Sequence, residues 1–351
     1  MIDTDEKLSA YLPTIRAAEW LALDTEADSL HAYPEKVCLI QITTVAGDEL
    51  IDPLAPIALD PLFAALAGHQ LLMHGADYDL RLFTKHHEFV PGAIFDTMLA
   101  ARLLGEKQFG LSNLVEKFLG VTLDKGSQKA DWARRPLTER MEEYARNDTH
   151  YIKPLVDKLK SELETKGRLS WHTETCNRLI AESSVPPVVD ADQVWRVKGS
   201  YGLSRAALAV LRELFHWRER EAIAANRPPF FVVNHETLVK ISEAAASNAP
   251  VDPLVPPRMS PRRRDGLAAA VQAGLKVPPE NFPEIPRHDR RRPSEEEFRR
   301  FRELEKVRDK HATELAIDPT LIAPRATLGD LASDWDAHAP GLMDWQRELL
   351  K

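Results

Sequence analysis

Asp24 and Glu26 stand where a short apolar run, Trp20 to Leu23, gives way to Asp24-Thr25-Glu26. Two residues apart at a strand end, their carboxylates leave the same face and can converge on one cation. Tyr144 and Asp148 are four apart in a helical stretch, which puts a phenol and a carboxylate on one helix face. They form the only Tyr-x-x-x-Asp in the chain, and Asp24 with Glu26 the only Asp-x-Glu. Asp79 lies in the first turns of a helix entered from the Leu71 to Met73 strand through His74-Gly75-Ala76, a third element able to deliver a carboxylate to the same point.

Four carboxylates at one point raise each other's pKa and strain the fold, and two divalent cations remove that conflict. Ligation by oxygen alone selects magnesium or manganese over zinc. A metal pair about 3.5 to 4 Å apart suits phosphodiester hydrolysis, one ion acidifying the attacking water and the other stabilising the leaving alkoxide. Tyr144, with an ordinary pKa near 10, is a poor base at neutral pH and is assigned to orienting that water. Each motif has a bland reading as well. Asp-x-Glu alone is a solvated strand end, Tyr-x-x-x-Asp a surface pair, and Asp77 competes with Asp79 as a helix cap. His74 reads as a capping or packing group and is left out of the ligand set.

The elements that must position these groups are legible in the pattern. Trp20–Leu23, Val37–Ile42 and Leu50–Asp52, with a turn at Gly47-Asp48, predict a three-stranded antiparallel meander. The Gln70–Met73 strand running into the Asp77–His86 helix implies an α/β layer. Helices around Thr97–Leu104 and Leu111–Leu119 are each stopped by glycine, and a long helix starts near Thr138 and passes Tyr151 with a kink at Pro154. Pro186-Pro187 and Gly199-Ser200 mark a junction, beyond which the pattern is helical: Leu203–Ala225, His235–Ala246 behind an Asn234 cap, a helix ending at Gly274, and Glu295–Leu315. The domains expected are 1–180, 198–285 and 290–351.

The 351 residues, 44% hydrophobic and 28% charged, exclude collagen-like, coiled-coil and disordered classes. No run approaches the roughly 20 apolar residues of a membrane span, and the acidic start is unlike a signal peptide, so a cytoplasmic protein is expected. Two cysteines, Cys38 and Cys176, make no disulfide framework. The net charge of −8 hides an asymmetry: Arg258 to Lys310 holds 15 Lys and Arg against 10 Asp and Glu, which leaves −13 on the rest.

Asp24-x-Glu26, His74-x-x-x-x-Asp79 and Tyr144-x-x-x-Asp148 resemble, in order and spacing, the three motifs of the DEDD exonuclease superfamily in its tyrosine-bearing branch. The segments Gly120-Val121-Thr122-Leu123-Asp124-Lys125, Ala130-Asp131-Trp132-x-x-Arg135-Pro136-Leu137-Thr138 and Tyr144 to Tyr151 are similar to the bacterial ribonuclease D family over residues 1–180. Arg227-Pro228-Pro229-Phe230 and the Asn234 helix resemble an HRDC domain, and Ala316-Ile317-Asp318-Pro319 a second, more divergent copy. The resemblance implies an α/β exonuclease domain with a ribonuclease H-like mixed sheet, followed by two all-α HRDC-type domains. It also implies two magnesium or manganese ions held by Asp24, Glu26, Asp79 and Asp148, and water oriented by Tyr144. The activity implied is 3′–5′ exoribonuclease action on RNA with a free 3′ end, tRNA precursors above all, by a monomer without a membrane partner.

Lys129, Trp132 and Arg135 precede the Tyr144 helix, where an aromatic can stack a base and cations can meet phosphate; a core plug is the alternative for Trp132. Leu30, Tyr33 and Gln41 flank the first motif. Arg262-Arg263-Arg264 and Arg290-Arg291-Arg292 are phosphate-binding candidates against a solvated-surface reading. Two other readings are a DNA exonuclease, for which no accompanying helicase phosphate-binding motif exists in the chain, and a catalytically silent RNA-binding protein, against which the intact motif acids speak.

Overall fold

A computed structural model of the chain describes every residue except 125, 187–189 and 286–292, so the Arg290-Arg291-Arg292 run lies outside the described residues. The chain forms two compact units: Met1–Ala27, Val37–Pro186 and Arg291–Lys351 in the first, Asp28–Lys36 and Pro187–Arg290 in the second.

The first unit starts with helix α1 (Asp5–Ala17), whose first turn is capped by the Thr4 hydroxyl. Strands β1 (Leu21–Ala27), β2 (Val37–Thr44) and β3 (Gly47–Ile51) form the expected antiparallel meander. The β2–β3 turn is tight because Gly47 takes a φ of +125°, a conformation closed to residues with a Cβ. Helix α2 (Asp60–Leu66), β4 (Gln70–Met73), α3 (Asp77–His87) and β5 (Ala93–Asp96) follow, and β4 pairs in parallel with both β1 and β5. The sheet order is therefore β3-β2-β1-β4-β5.

Side chains alternate across this sheet, and the alternation decides which helices each strand residue meets. Leu21, Leu23, Leu71 and Met73 join the core of α1, α2 and α3. Ala22, Leu72 and Phe95 face the opposite core, built on α4 (Thr97–Leu104), α5 (Leu111–Leu119) and, further along the chain, α7. Gly105 and Gly120 close α4 and α5 in the left-handed conformation, as expected of helix-stopping glycines. The long helix expected from Thr138 is two, α6 (Glu139–His150) and α7 (Ile152–Thr165), broken at Tyr151. Pro154 falls in the first turn of α7, where a missing N–H costs no helical hydrogen bond. Helix α8 (Leu169–Ser184) packs beside α3 and β5.

In the second unit, α9 (Arg205–Ala225), α10 (Pro229–Val232), α11 (His235–Ala246) and α12 (Pro261–Leu275) surround a core of Trp195, Leu208, Leu211, Leu214, Leu238 and Ile241. The Asn234 side chain caps α11 by accepting from Thr237 N–H at 2.8 Å. Gly274 does not stop its helix; a Cβ there would lie 2.4 Å from the Val210 Cα, so glycine lets α12 close onto α9.

The C-terminal segment holds α13 (Glu295–Leu315), α14 (Pro319–Ile322), α15 (Arg325–Ser333), α16 (Trp335–His338) and α17 (Asp344–Leu349). One constant offset separates Arg205 from Glu295, the left-handed Asn226 from the left-handed Ala316, Pro229 from Pro319, and His235 from Arg325. The pattern of α9–α11 is thus repeated in α13–α15. Rather than closing a core of its own, the segment buries Ala312, Ile322, Leu328 and Trp345 in the core shared with α4 and α7. The Arg168 guanidinium, 6% exposed, donates to the terminal carbonyls of two helices, Leu103 O at 2.7 Å and Leu315 O at 2.8 Å.

Gly105 tests this seam. Its φ is +92° and a Cβ would lie 2.1 Å from Ala316 O, whereas Gly120, at +72°, has open space around it. Gly120→Ala should cost the roughly 1–2 kcal/mol of a left-handed non-glycine residue, and Gly105→Ala clearly more. Thermal denaturation of the two variants in parallel checks this; equal losses would mean that the seam yields freely.

Candidate active site

The site lies at the carboxyl end of β1. By the strand alternation, Asp24 and Glu26 project towards α6 and Thr25 towards α3. The ladder with β2 slips between Glu26 and Ala27, so the strand leaves regular pairing beside the second acid. Asp79, in the first turn of α3, is 6% exposed and accepts a hydrogen bond from the Thr25 hydroxyl. Its rival Asp77 points outward and pairs with Arg81 at 2.8 Å. Tyr144 and Asp148 share one face of α6 and lie side by side in the wall of one cavity.

Asp24, Glu26, Tyr144 and Asp148 line one cavity of about 380 Å³, together with His74, Ser112, Leu123, Asp124 and Gln128. Asp79 sits behind Thr25, which also lines it. Among the described residues no three acidic, histidine or cysteine side chains close around a single point; Asp24, Glu26 and Asp148 share the cavity wall. Burial raises the pKa of all four, pushing Glu26 up to about 9 and Asp79 and Asp148 up to about 7. Asp24 is driven well above the carboxylate range by burial and by the charges of Asp79, Asp148 and Glu26. The Tyr144 phenol is also raised, by burial and then by Asp148, Glu26 and Asp24, so it is a hydrogen-bond donor at neutral pH.

Asp96 fixes the approach to Asp79. Helix α3 has no side-chain cap of its own. The fully buried Asp96 carboxylate accepts instead from Gly75 N–H at 3.1 Å and Ala76 N–H at 2.8 Å, while also capping α4 through Met98 N–H and Leu99 N–H. One carboxylate thereby ties the turn before α3 to the start of α4. His74, set aside in the sequence reading, is part of the cavity wall, and burial lowers its pKa. No single-residue signal marks Asp96 or Thr25 in the sequence; His74 was visible as the start of the second motif.

The expected RNA contacts are dispersed. Trp132 is 1% exposed, its ring 5.9 Å from that of Tyr144, so it is a core plug beneath α6 and not a platform for a base. Arg135 is spent on the fold: it grips Asp52 with two bonds of 2.6 Å and donates to Cys38 O and Trp132 O. Lys129 is exposed, next to Gln128 on the cavity wall. Gln41, opposite Asp24 in the ladder, is fully buried with no partner for its amide.

Tyr33, Arg262, Arg263 and Arg264 belong to the second unit. Tyr33 hydrogen-bonds Glu219. Arg262 and Arg263 both hold Glu221, and Arg264 donates to the carbonyls of Pro256, Pro257 and Met259. Leu30 is 47% exposed.

The model of a 3′–5′ exonuclease family matches residues 1–164, and that of the HRDC domain residues 207–249. Ribonuclease D of Gluconacetobacter diazotrophicus is 30% identical over 360 residues, 99% of this chain and 90% of that protein. Ribonuclease D of Zymomonas mobilis is 33% identical over 247 residues, 69% of this chain but only 63% of the relative's length. The structure of Escherichia coli RNase D, described as an exoribonuclease involved in structured RNA processing, is similar with a TM-score of 0.76 at 28% identity, covering 100% of this chain and 96% of that one. The catalytic core of RRP6 from Trypanosoma brucei is similar over 78% of this chain and 79% of that one, with a TM-score of 0.66 at 28% identity. With nearly its whole length matched to a curated relative at that level of identity, the chain belongs to the ribonuclease D family of 3′–5′ exoribonucleases.

Proposed function

We propose that the chain trims the 3′ ends of tRNA precursors and other structured RNAs by two-metal-ion hydrolysis, releasing 5′-mononucleotides, as a cytoplasmic monomer. The observation that carries this is the placing of Asp24, Glu26, Asp148 and Tyr144, from β1 and α6, on one cavity, with Asp79 of α3 held behind it by Thr25. That donor set, all carboxylate, fits hard divalent cations, and burial among like charges gives the four acids a strong reason to take them up. Asp24, Glu26, Asp79 and Asp148 would hold two magnesium or manganese ions, which when bound acidify the attacking water and stabilise the leaving alkoxide.

The rest is done by the chain. Thr25 holds Asp79 towards the strand end, and Asp96 holds the turn from which Asp79 is launched. Tyr144, kept protonated, orients the attacking water as a donor and does not remove its proton. A substrate class of structured RNA is supported by the description of the Escherichia coli relative. The offset that maps α9–α11 onto α13–α15 supports a second, divergent HRDC-type module. Among the described residues no helix is long and apolar enough to cross a membrane.

Asp148→Asn should lower hydrolysis of a 3′-extended tRNA by more than about a thousand-fold while the protein stays folded, and Tyr144→Phe by roughly a hundred-fold. Product-end analysis after incubation with each metal decides the point: an active Asp148→Asn enzyme, or products with 3′-phosphates, would overturn the assignment.

Stability gives a second check. The four acids bind protons in the folded chain that the unfolded chain has already released near neutrality. Their contribution is therefore complete below about pH 4 and is lost as pH rises through about 7 to 9. In chelator the melting temperature should fall across that window, and saturating magnesium or manganese should remove the fall. Identical pH profiles with and without metal would count against the ion pair.

A further inference from the structure

The chemistry of His74 does not suit hard-cation ligation, yet its side chain lines the cavity that holds Asp24, Glu26, Tyr144 and Asp148. Two contacts fix what that edge can do. His74 Nδ1 lies 2.9 Å from Thr97 Oγ1, and the same hydroxyl donates to Met73 O at 3.2 Å. A hydroxyl has one proton, and a carbonyl can only accept. Both contacts exist together only if Nδ1 carries the ring proton and Thr97 receives it. In the neutral ring that tautomer leaves Nε2 as an acceptor, on a side chain that lines the cavity.

The ring is also firmly anchored. Thr97 is fully buried, and Gly75, which follows His74 with a φ of +68°, has its N–H held by the buried Asp96. The acceptor cannot swing away to find a partner elsewhere; the partner must come to it.

Few groups in the filled site could supply a proton to that nitrogen. The acids and a backbone phosphate offer acceptors, the Tyr144 hydroxyl lies beside Asp148, and of the other lining side chains Ser112 and Gln128 can donate. An RNA 3′ terminus brings donors of two kinds, base amino groups and ribose hydroxyls. The amino groups differ among the four bases, which is unsuited to removing successive nucleotides irrespective of identity. The ribose hydroxyls are present on every one.

Resting on the nuclease reading above, we propose that His74 is a specificity-determining residue whose Nε2 accepts a hydrogen bond from a hydroxyl of the terminal ribose. If the partner is the 2′-hydroxyl, His74 discriminates RNA from DNA; if it is the 3′-hydroxyl, His74 recognises a free chain end.

The test is a substrate-by-variant cycle with the full-length chain and manganese. Oligoribonucleotides of one sequence ending in ribose, 2′-deoxyribose or 3′-deoxyribose are assayed for kcat/KM with wild type, His74→Ala and His74→Gln. Equilibrium binding of the same three oligonucleotides is read by fluorescence anisotropy on the Asp148→Asn background, with and without His74→Ala. Loss of one of the two hydroxyls should cost the wild type about tenfold, as one directed hydrogen bond does. His74→Ala should lose about the same on the ribose substrate and nothing further on the matching deoxy substrate. His74→Gln, whose amide oxygen can stand near the Nε2 position, should recover part of the loss.

Losses that multiply, or a His74→Ala enzyme as active as the wild type on all three ends, would overturn the proposal. So would nitrogen coupling to His74 in the electron spin resonance of bound manganese, since the nitrogen would then be a metal ligand. A wild-type chain that hydrolyses none of the three oligonucleotides would sink the nuclease reading itself, whereas an active wild type with multiplicative losses sinks only the His74 contact.

Discussion

Mutual repulsion of buried carboxylates is the condition under which the rest of this molecule is built. Asp24, Glu26, Asp79 and Asp148 lie where burial and neighbouring charge make ionisation costly. Such a set persists only on elements whose own packing over-determines their positions. β1 is paired with β4 at Leu21 and Ala22 and with β2 along its length, so the backbone that carries Asp24 and Glu26 is held from both edges at its start and from β2 at the acids. Its alternation sends two carboxylates to one face and the hydroxyl of Thr25, which holds the third, to the other. Helix α6 lies across β1, β2 and β3 and brings the fourth acid with Tyr144. The apolar cores on the two faces of the sheet provide the stability that this concentration of charge consumes.

Polar side chains that join separate elements recur where precision is needed. Asp96 serves the starts of two helices, Arg168 the ends of two, and Arg135 pins the loop before α6 to β2 and to Asp52. Each is a buried or half-buried charge satisfied by several hydrogen bonds, the condition under which such burial is tolerated. Two of the arginines that sequence reasoning offers to RNA, Arg135 and Arg264, are absorbed in this way. A cation in a loop is a phosphate contact only when nothing in its own chain has used its donors first.

What was legible in the sequence divides along the same line. The shared faces of the candidate residues could be read because their spacing encodes them, Asp24 and Glu26 two apart on a strand and Tyr144 and Asp148 four apart on a helix, both pairs lining one cavity. The meander, the glycine stops and the Asn234 cap rest on local rules and were equally readable. β5 was not, since four residues inside a parallel sheet carry no periodicity; nor was the break at Tyr151, where a proline read as a kink is a helix start. Gly274 looked like punctuation and is a packing contact, because the neighbour that requires it, Val210, is distant in the chain. The burial of Trp132 and the role of Asp96 depend likewise on partners that no local window contains. His74 was seen and discounted on ligand chemistry, when what mattered was the hydroxyl on the next strand's helix.

The seam between the exonuclease sheet and the C-terminal helices has a practical corollary. Because Ala312, Ile322, Leu328 and Trp345 complete the apolar layer over α4 and α7, the smallest stable piece bearing the catalytic acids is not a contiguous stretch of sequence. A fragment cut after α8 would carry every motif residue yet leave greasy helix faces and the Arg168 side chain open to water, and so would tend to clump rather than work. A minimal enzyme would instead be obtained by splicing: excising the intervening helical unit and rejoining the ends by a linker, so that the last helices can still dock.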